Sequence, residues 1–347
     1  MNKILVVDDD LSTLKQIASQ ISGNYEVSLA KSGMLALQIC AKEKPDLILL
    51  DIEMPDMDGF DVIARIKANP YLGGIPVVFL TANHDVETEI RALESGARDF
   101  ITKPVDKSIL LHRIELHLRF AAYQAQTEQK VMALSDSIAT SFAEMIECRD
   151  ENTGGHVVRT SKYVELLGKE MINRGLFPDE LSPGELQMMV RAAPLHDIGK
   201  IAISDSVLLK PGKLDDKEFV VMKTHAQIGA TIVERMCQRM PTQHYLRYAR
   251  LIADAHHERY DGKGYPRGRW GDNIPLCARI MAVADVYDAL IENRVYRKGM
   301  DHTRASDIIV ESRGTQFDPV IVDIFKEVQD QIREVVREAY AVIGCQF

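Results

Sequence analysis

Five histidines and two aspartates stand where they can bind metal ions. His156, His196, His225, His256 and His257 lie beside carboxylates or on the inward edge of helical runs, and Asp197 and Asp285 complete the group. Imidazole nitrogens with carboxylate oxygens suit divalent transition metals, and seven such side chains suffice for two ions if one carboxylate bridges. No cysteine falls among them, which favours an open catalytic centre over a structural zinc site. In the run from His196 to Lys200 a histidine and a carboxylate are followed one turn later by a lysine on the same face, the residues of a metal-phosphate site. His256 and His257 close an amphipathic run (Leu246, Ala249, Ala253, His256). Asp261, Gly262 and Gly264 then break the helix into a tight loop carrying Tyr265 and Pro266. Adjacent helical residues point about 100° apart, so both histidines reach one centre only where the helix end faces it. Singly, each of these histidines reads as an ordinary surface or core residue, and only the collection points to a metal centre. His84, His112, His117, His244 and His302 lack such company and read as solvated.

A second group, Asp8, Asp9, Asp51, Thr81 and Lys103, sits at the ends of strand-like runs. These runs are residues 3–7, 25–30, 46–51, 76–81 and 98–103, separated by helical periods such as Leu14, Ile17, Ala18 and Ile21. The alternation predicts an α/β unit with a doubly wound, five-stranded parallel sheet. Polar residues beyond the C-terminal strand ends of such a sheet converge on one pocket. There, two carboxylates can hold Mg²⁺, a third can attack a phosphoryl group, and Thr81 and Lys103 can steady its oxygens. The plainer alternative is that each merely begins a loop.

From Asp106 to Ile146 there is neither proline nor glycine, which predicts one long helix. Leu111, Leu118, Ala125, Met132, Ala139 and Ile146 recur every seven residues, with Ile114, Ala121 and Phe142 on companion positions. The stripe suits an imperfect two-stranded coiled coil or packing along the chain's own domains. The remainder reads as all α. A helix capped by Thr153 is followed by others near 184–193, 215–237, 243–258 and 275–293, and a last one runs from Asp318 and Pro319 to about Gly344. In the run around Asp285, Ala278, Ala282 and Ala289 share its face and allow close approach. With 51 acidic against 42 basic residues the chain lacks the basic stripe a direct DNA reader requires. The five cysteines show no CxxC spacing and no apolar run approaches a membrane span, so the expected setting is the reducing cytoplasm.

The motifs VVDDD, LLDIEMPDMDGFD, FLTA and ITKPV resemble the receiver domain of two-component response regulators. That resemblance implies Asp51 as phosphoacceptor, Asp8 and Asp9 as Mg²⁺ acids, Glu53 as a backbone-carbonyl donor, Thr81 and Lys103 as the switch pair, a cis Lys103-Pro104 bond, and a sensor histidine kinase as partner. Farther on, TGGHVVR, PLHDIGKI, LLKPGKL, MKTHAQIG, HHERYDGKGYP, ARIMAVADVYDAL and GTQFDP stand in the order of the HD-GYP branch of the HD phosphohydrolases. This second resemblance implies that His156, His196, Asp197 and Asp285 hold one metal, that Asp197, His225, His256 and His257 hold the other, and that the metals are iron, manganese or similar. It further implies Lys200 at a substrate phosphate, Tyr265 near a guanine base, Asp288 at the guanine edge, and Arg294 with Arg297 on the phosphates. Some family members bind a third metal through a glutamate four residues before the first histidine; here that position is Asn152, which favours two. The expectation is a receiver over 1–122, a helical linker over 123–146 and an HD-GYP domain over 147–347. Its activity would be phosphorylation-controlled hydrolysis of cyclic di-GMP by metal-activated hydroxide to pGpG, with GMP as a slower further product, in a homodimer. Two alternatives remain open: a phosphohydrolase for another nucleotide, and an adaptor that binds partners or cyclic di-GMP without turnover.

Overall fold

The computed structural model describes residues 1–69, 71–82, 86–149, 155–292 and 299–344. The chain divides into two compact units, Met1–Met132 and Ala133–Phe347. The division falls inside a single helix of 43 residues, α5 (Lys107–Arg149).

In the first unit, β1 (Lys3–Val7), β2 (Glu26–Ala30), β3 (Leu47–Asp51), β4 (Val77–Thr81) and β5 (Asp99–Thr102) form a parallel sheet in the order β2-β1-β3-β4-β5. The central strands are aliphatic at nearly every position, as burial on both faces demands. The two-residue period sorts them into two cores. Leu5, Val7, Ile48, Leu50, Val77 and Phe79 pack against α2 (Gly33–Lys42) and α3 (Gly59–Ala68). Ile4, Val6, Leu47, Leu49, Val78 and Leu80 pack against α1 (Leu11–Ile21) and against Leu110, Ile114 and Leu118 of α5. Between β4 and β5 runs α4 (Val86–Glu94). Asp10, Ser32 and Asp58 cap α1, α2 and α3 by accepting from backbone amides of the first turn. The Lys103-Pro104 bond is cis.

The long helix forms as expected, but its seven-residue seam is not free for a partner helix. Leu118 is 9% exposed in the first unit's core and Ile146 is 5% exposed, while Ala139 packs on the second unit's core. The two units capture the stripe at its two ends. Large apolar side chains that do face solvent, among them Phe120, Tyr123, Val131, Leu134, Ile138 and Met145, lie on a different line of the helix, and of the expected large stripe residues Met132 and the companion Phe142 are exposed as well.

The second unit is helical: α6 (His156–Asn173), α7 (Pro183–Ala192), α8 (Asp205–Leu208), α9 (Asp216–Arg239), α10 (Tyr245–Ala255), α11 (Leu276–Ile291), α12 (His302–Glu311) and α13 (Pro319–Gly344). Gly155, at φ 90°, is the N-cap of α6. Thr153, expected to cap it, lies outside the described residues. Helix α9 starts with a reciprocal capping box between Asp215 and Glu218. Helix α11 is apolar almost all round and buried accordingly, so Asp285 is carried into the interior. Around it lies one core that includes Tyr163, Leu167, Met171, Leu246, Ile252, Met281, Tyr287, Phe317 and Phe325.

The turn Ile198–Ala202, which follows His196 and Asp197, lies directly on α9, and its contact point is glycine on both sides. A Cβ on Gly199 would strike the carbonyl oxygen of His225 and the amide of Gly229. Neither is a flexible side chain. Gly199→Ala should therefore cost at least the upper part of the about 1–3 kcal/mol typical of overpacking, read as a lower urea midpoint for the second unit.

Candidate metal centre and phosphoacceptor site

The local backbone decides which imidazole nitrogen faces inward. His196 Nδ1 lies 2.9 Å from the Ala193 carbonyl, His225 Nδ1 2.7 Å from that of Met222, and His256 Nδ1 2.9 Å from that of Ile252. A carbonyl can only accept, so each Nδ1 carries the proton and each Nε2 presents a lone pair. His156 is held the same way, its Nδ1 2.7 Å from Asp288 Oδ2. The Nε2 atoms of His156 and His196 face each other at 3.4 Å, and His225 Nε2 faces Asp197 Oδ1 at 3.2 Å. His225 Nε2 and Asp197 Oδ1 face each other as acceptors without a partner, which calls for a cation between them, and the His156–His196 contact calls for a proton or a metal ion.

Asp197 points its two oxygens in two directions. Oδ1 lies 3.2 Å from His225 Nε2 and 3.6 Å from His256 Nε2, whereas Oδ2 lies 3.4 Å from His196 Nε2 and 2.8 Å from Lys200 Nζ. Asp285 Oδ1 stands 3.5 Å from His156 Nε2 and 3.9 Å from His196 Nε2. His257 joins Asp197, His225 and His256, their ligating atoms all within 4.8 Å of one another. The structure thus brings together His156, His196, Asp197, Lys200, His225, His256, His257 and Asp285. The residues fit divalent cations: Asp197 Oδ1, His225 Nε2 and His256 Nε2 are buried polar atoms without a hydrogen-bond partner.

Burial opposes charge on Asp197, yet Lys200 and His196 overcome it and hold the carboxyl well below the usual range. Burial and the neighbouring imidazoles His256 and His225 push His257 far down, so it stays neutral, and burial lowers His256 too. On the other side, burial disfavours charge on His156, but Asp288, Glu147 and Asp285 outweigh it and raise the group to about 9. His196 rises for a related reason, through Asp197 and Asp285. Protons and metal ions compete for these nitrogens.

Asp288 corrects the sequence reading. Expected at a substrate base, it is fully buried and receives hydrogen bonds from Arg159 Nε and Nη2 (2.8 and 2.7 Å), Tyr163 (2.9 Å) and His156. Burial works against its ionisation, but Arg159 and His156 hold it at about 2. No oxygen is left for a guanine edge; Asp288 orients His156 instead. Arg294, Arg297 and Asn152 lie outside the described residues. Tyr265 stands with its ring 4.8 Å from that of His257, and its Pro266 bond is cis. Buried Glu258 fixes that loop by accepting from the amides of Arg267 and Arg269, and buried Asp254 pairs with both guanidinium groups. Sequence reading missed these two acids, as it missed Glu147, which is 3% exposed and 3.6 Å from His156 Nε2. His117 and His302, expected to be solvated, are engaged: His117 bonds Asp99 at 2.9 Å and His302 the hydroxyl of Tyr287 at 2.8 Å. His84 lies outside the described residues, and His112 and His244 are exposed.

In the first unit, ligating atoms of Asp8, Asp9 and Asp51 lie within 4.8 Å of one another. Lys103 Nζ stands 2.7 Å from Asp8 Oδ2 and 2.9 Å from Asp51 Oδ2. Thr81 is buried at the end of β4, and Glu53 is exposed two residues beyond Asp51. Burial, with Asp8 and Asp9 adding to it and Lys103 only partly offsetting it, pushes Asp51 up to about 6.

The family model for the response regulator receiver domain matches residues 4–115, and that for the HD domain matches residues 141–321. A Vibrio cholerae protein named probable cyclic di-GMP phosphodiesterase is 40% identical over 342 residues, covering 93% of this chain and 76% of that protein. The cyclic di-GMP phosphodiesterase response regulator RpfG of Xanthomonas campestris is 36% identical over 342 residues, covering 96% and 89%. A Vibrio cholerae 3'3'-cGAMP-specific phosphodiesterase 2 is 37% identical over 197 residues, covering 57% and 35%. Among the described residues no helix is long and apolar enough to cross a membrane.

The Asp51 shift has a sign that can be measured. Its folded value lies above the ordinary 3.8, so its charge costs stability above about pH 6, and the cost vanishes below about pH 4. In EDTA, Asp51→Asn should raise the melting temperature of the first unit at about pH 8, about half of the gain should remain at about pH 5, and most of it should be gone by about pH 4. Mg²⁺ should narrow the difference at the higher pH.

Proposed function

The chain belongs to the cyclic di-GMP phosphodiesterase response regulators, in which a receiver domain precedes an HD domain, and on that footing we propose that it cleaves cyclic di-GMP at the histidine-aspartate centre under control of phosphoryl transfer to Asp51. The observation that carries this reading is the set of buried, inward-facing nitrogen and oxygen atoms without a partner around Asp197. His156, His196, Asp285 and Asp197 Oδ2 would hold one divalent cation, and Asp197 Oδ1, His225, His256 and His257 the other. The mixed nitrogen and oxygen donors suit Fe²⁺ or Mn²⁺. When bound, such a pair supplies Lewis acidity and brings the pKa of a water toward ~7.

The chain's own residues do the rest. Lys200 keeps Asp197 ionised and offers a cation to a phosphoryl oxygen. Tyr265 supplies an aromatic face for a guanine base. Arg294 and Arg297 grip the phosphates through their guanidinium forks, which affects affinity more than chemistry. Opening of the ring gives pGpG first; a second cleavage to GMP requires the linear dinucleotide to rebind with more charge at the centre. In the receiver, Asp8, Asp9 and the Glu53 carbonyl would hold Mg²⁺, and Asp51 takes the phosphoryl group from a sensor histidine kinase while Lys103 and Thr81 bind its oxygens. A mixed cyclic dinucleotide is the second reading, favoured by the likeness of the second unit to the cGAMP-specific relative. The exposed line Val131, Leu134, Ile138 and Met145 on α5 suits a second copy of the chain, giving a homodimer.

Purified protein with Mn²⁺ should convert cyclic di-GMP to pGpG in a chromatographic time course, faster than it converts 3'3'-cGAMP. His196→Ala should lose roughly a hundredfold or more of that activity. Binding of cyclic di-GMP without product would instead identify an adaptor. For assembly, Leu134→Lys with Ile138→Lys should shift the light-scattering mass of the full chain from dimer to monomer and leave its melting unchanged; a monomeric wild type rules out the stripe as a dimer seam.

A further inference from the structure

Glu147 lies two residues before the end of α5, in the interior, and neither of its carboxylate oxygens has a hydrogen-bond partner among the described residues. An ionised carboxylate without compensation costs several kcal/mol in such a place, so a buried, unpaired glutamate needs a counter-charge. The groups nearest to it are ligand candidates. Its Oε1 is 3.6 Å from His156 Nε2, and the ligating atoms of Glu147, His156 and His196 all lie within 4.8 Å of one another. Ligands bound to one ion at about 2.1 Å sit about 3–3.5 Å apart, close to the separations of His156 Nε2 from Glu147 (3.6 Å), His196 (3.4 Å) and Asp285 (3.5 Å).

Resting on the metal centre proposed above, we propose that Glu147 is a ligand of the cation held by His156, His196, Asp285 and Asp197, supplied from α5. The two cations then differ in kind. One has three carboxylates and two imidazoles; the other has the shared Asp197 and three imidazoles. Oxygen donors favour Mn²⁺-like ions and imidazoles favour Fe²⁺ or Zn²⁺, so the two positions should fill with different affinities. Asn152, the position from which a third cation would be recruited in some relatives, is not needed for this, because Glu147 completes one of the two.

The test uses the full chain, stripped with a chelator and titrated with Mn²⁺ by calorimetry, with metal analysis after gel filtration. Wild type should bind two equivalents at the second unit in addition to the cation of the receiver, which Asp9→Asn weakens alone. Glu147→Gln should keep one at wild-type affinity and weaken the other by at least about tenfold, whereas His257→Ala should weaken the opposite one. Glu147→Gln should also gain less melting temperature from Mn²⁺ than wild type does. If the glutamine variant does not fold, Glu147→Asp keeps the charge but withdraws it by one methylene and should show the same split. Two equivalents bound at the second unit with wild-type affinity by either folded variant overturn the assignment of Glu147. A wild type that binds no Mn²⁺ beyond the receiver's equivalent overturns instead the metal centre on which it rests.

Discussion

The second unit is built around keeping one carboxylate, Asp197, ionised in the protein interior. Water cannot solvate it there, so its charge is met on one oxygen by Lys200 and His196, while the other faces the lone pairs of His225 and His256 and is open to a cation. This constraint explains several features at once. The histidines must come from different helices, because no single helix can place four Nε2 atoms around one point. Their Nδ1 atoms must be spent on backbone carbonyls or on Asp288, or the rings would turn. The turn after Asp197 must press onto α9 closely enough that only glycine fits at residue 199. Asp288 in turn stays charged only because Arg159 is buried with it, and Arg159 also meets Glu292. Charge neutralisation thus extends two residues deep behind the ligands.

The receiver unit solves a related problem with fewer parts. Three carboxylates converge at the strand ends and a single lysine lies against two of them. Burial opposes the charge on Asp51 more than Lys103 favours it, and Asp8 and Asp9 add to that, so its carboxyl is pushed up to about 6. In both units the folded chain holds excess negative charge ready for a cation. Binding there relieves repulsion that folding has already imposed, and such preorganisation favours tight binding.

Much of this was legible in the sequence because periodicity reports burial. The unbroken aliphatic runs in residues 3–7 and 46–51 marked strands covered on both faces, and the topology of such sheets placed Asp8, Asp51, Thr81 and Lys103 together. The metal-ligating candidates were legible through their motifs. Asp288 was not, because position along a helix does not tell a face that meets substrate from one that backs a ligand. Glu147 gave no signal for a different reason: it lies nine residues before His156 on another helix, where no spacing rule links the two. The seven-residue pattern in α5 was real, but a repeat cannot say whether its partner is another chain or the chain's own core. Here Leu118 and Ile146 belong to the cores.

Helix α5 continues without a glycine, a proline or a break from Lys107 to Arg149. Each residue of an α-helix advances it by 1.5 Å and turns it by 100°. The exposed side chains of its middle stretch, such as Gln126, Glu128 and Lys130, can change freely, but their number cannot. One inserted residue there would rotate Phe120 and Tyr123 away from the line of Val131, Leu134 and Ile138. Seven inserted residues come within about 20° of restoring the phase. The exposed line therefore fixes a length as well as a composition: among chains of this architecture, viable changes in the length of the helix should fall near whole numbers of turns, about seven, eleven or eighteen residues, even where its sequence has drifted beyond recognition.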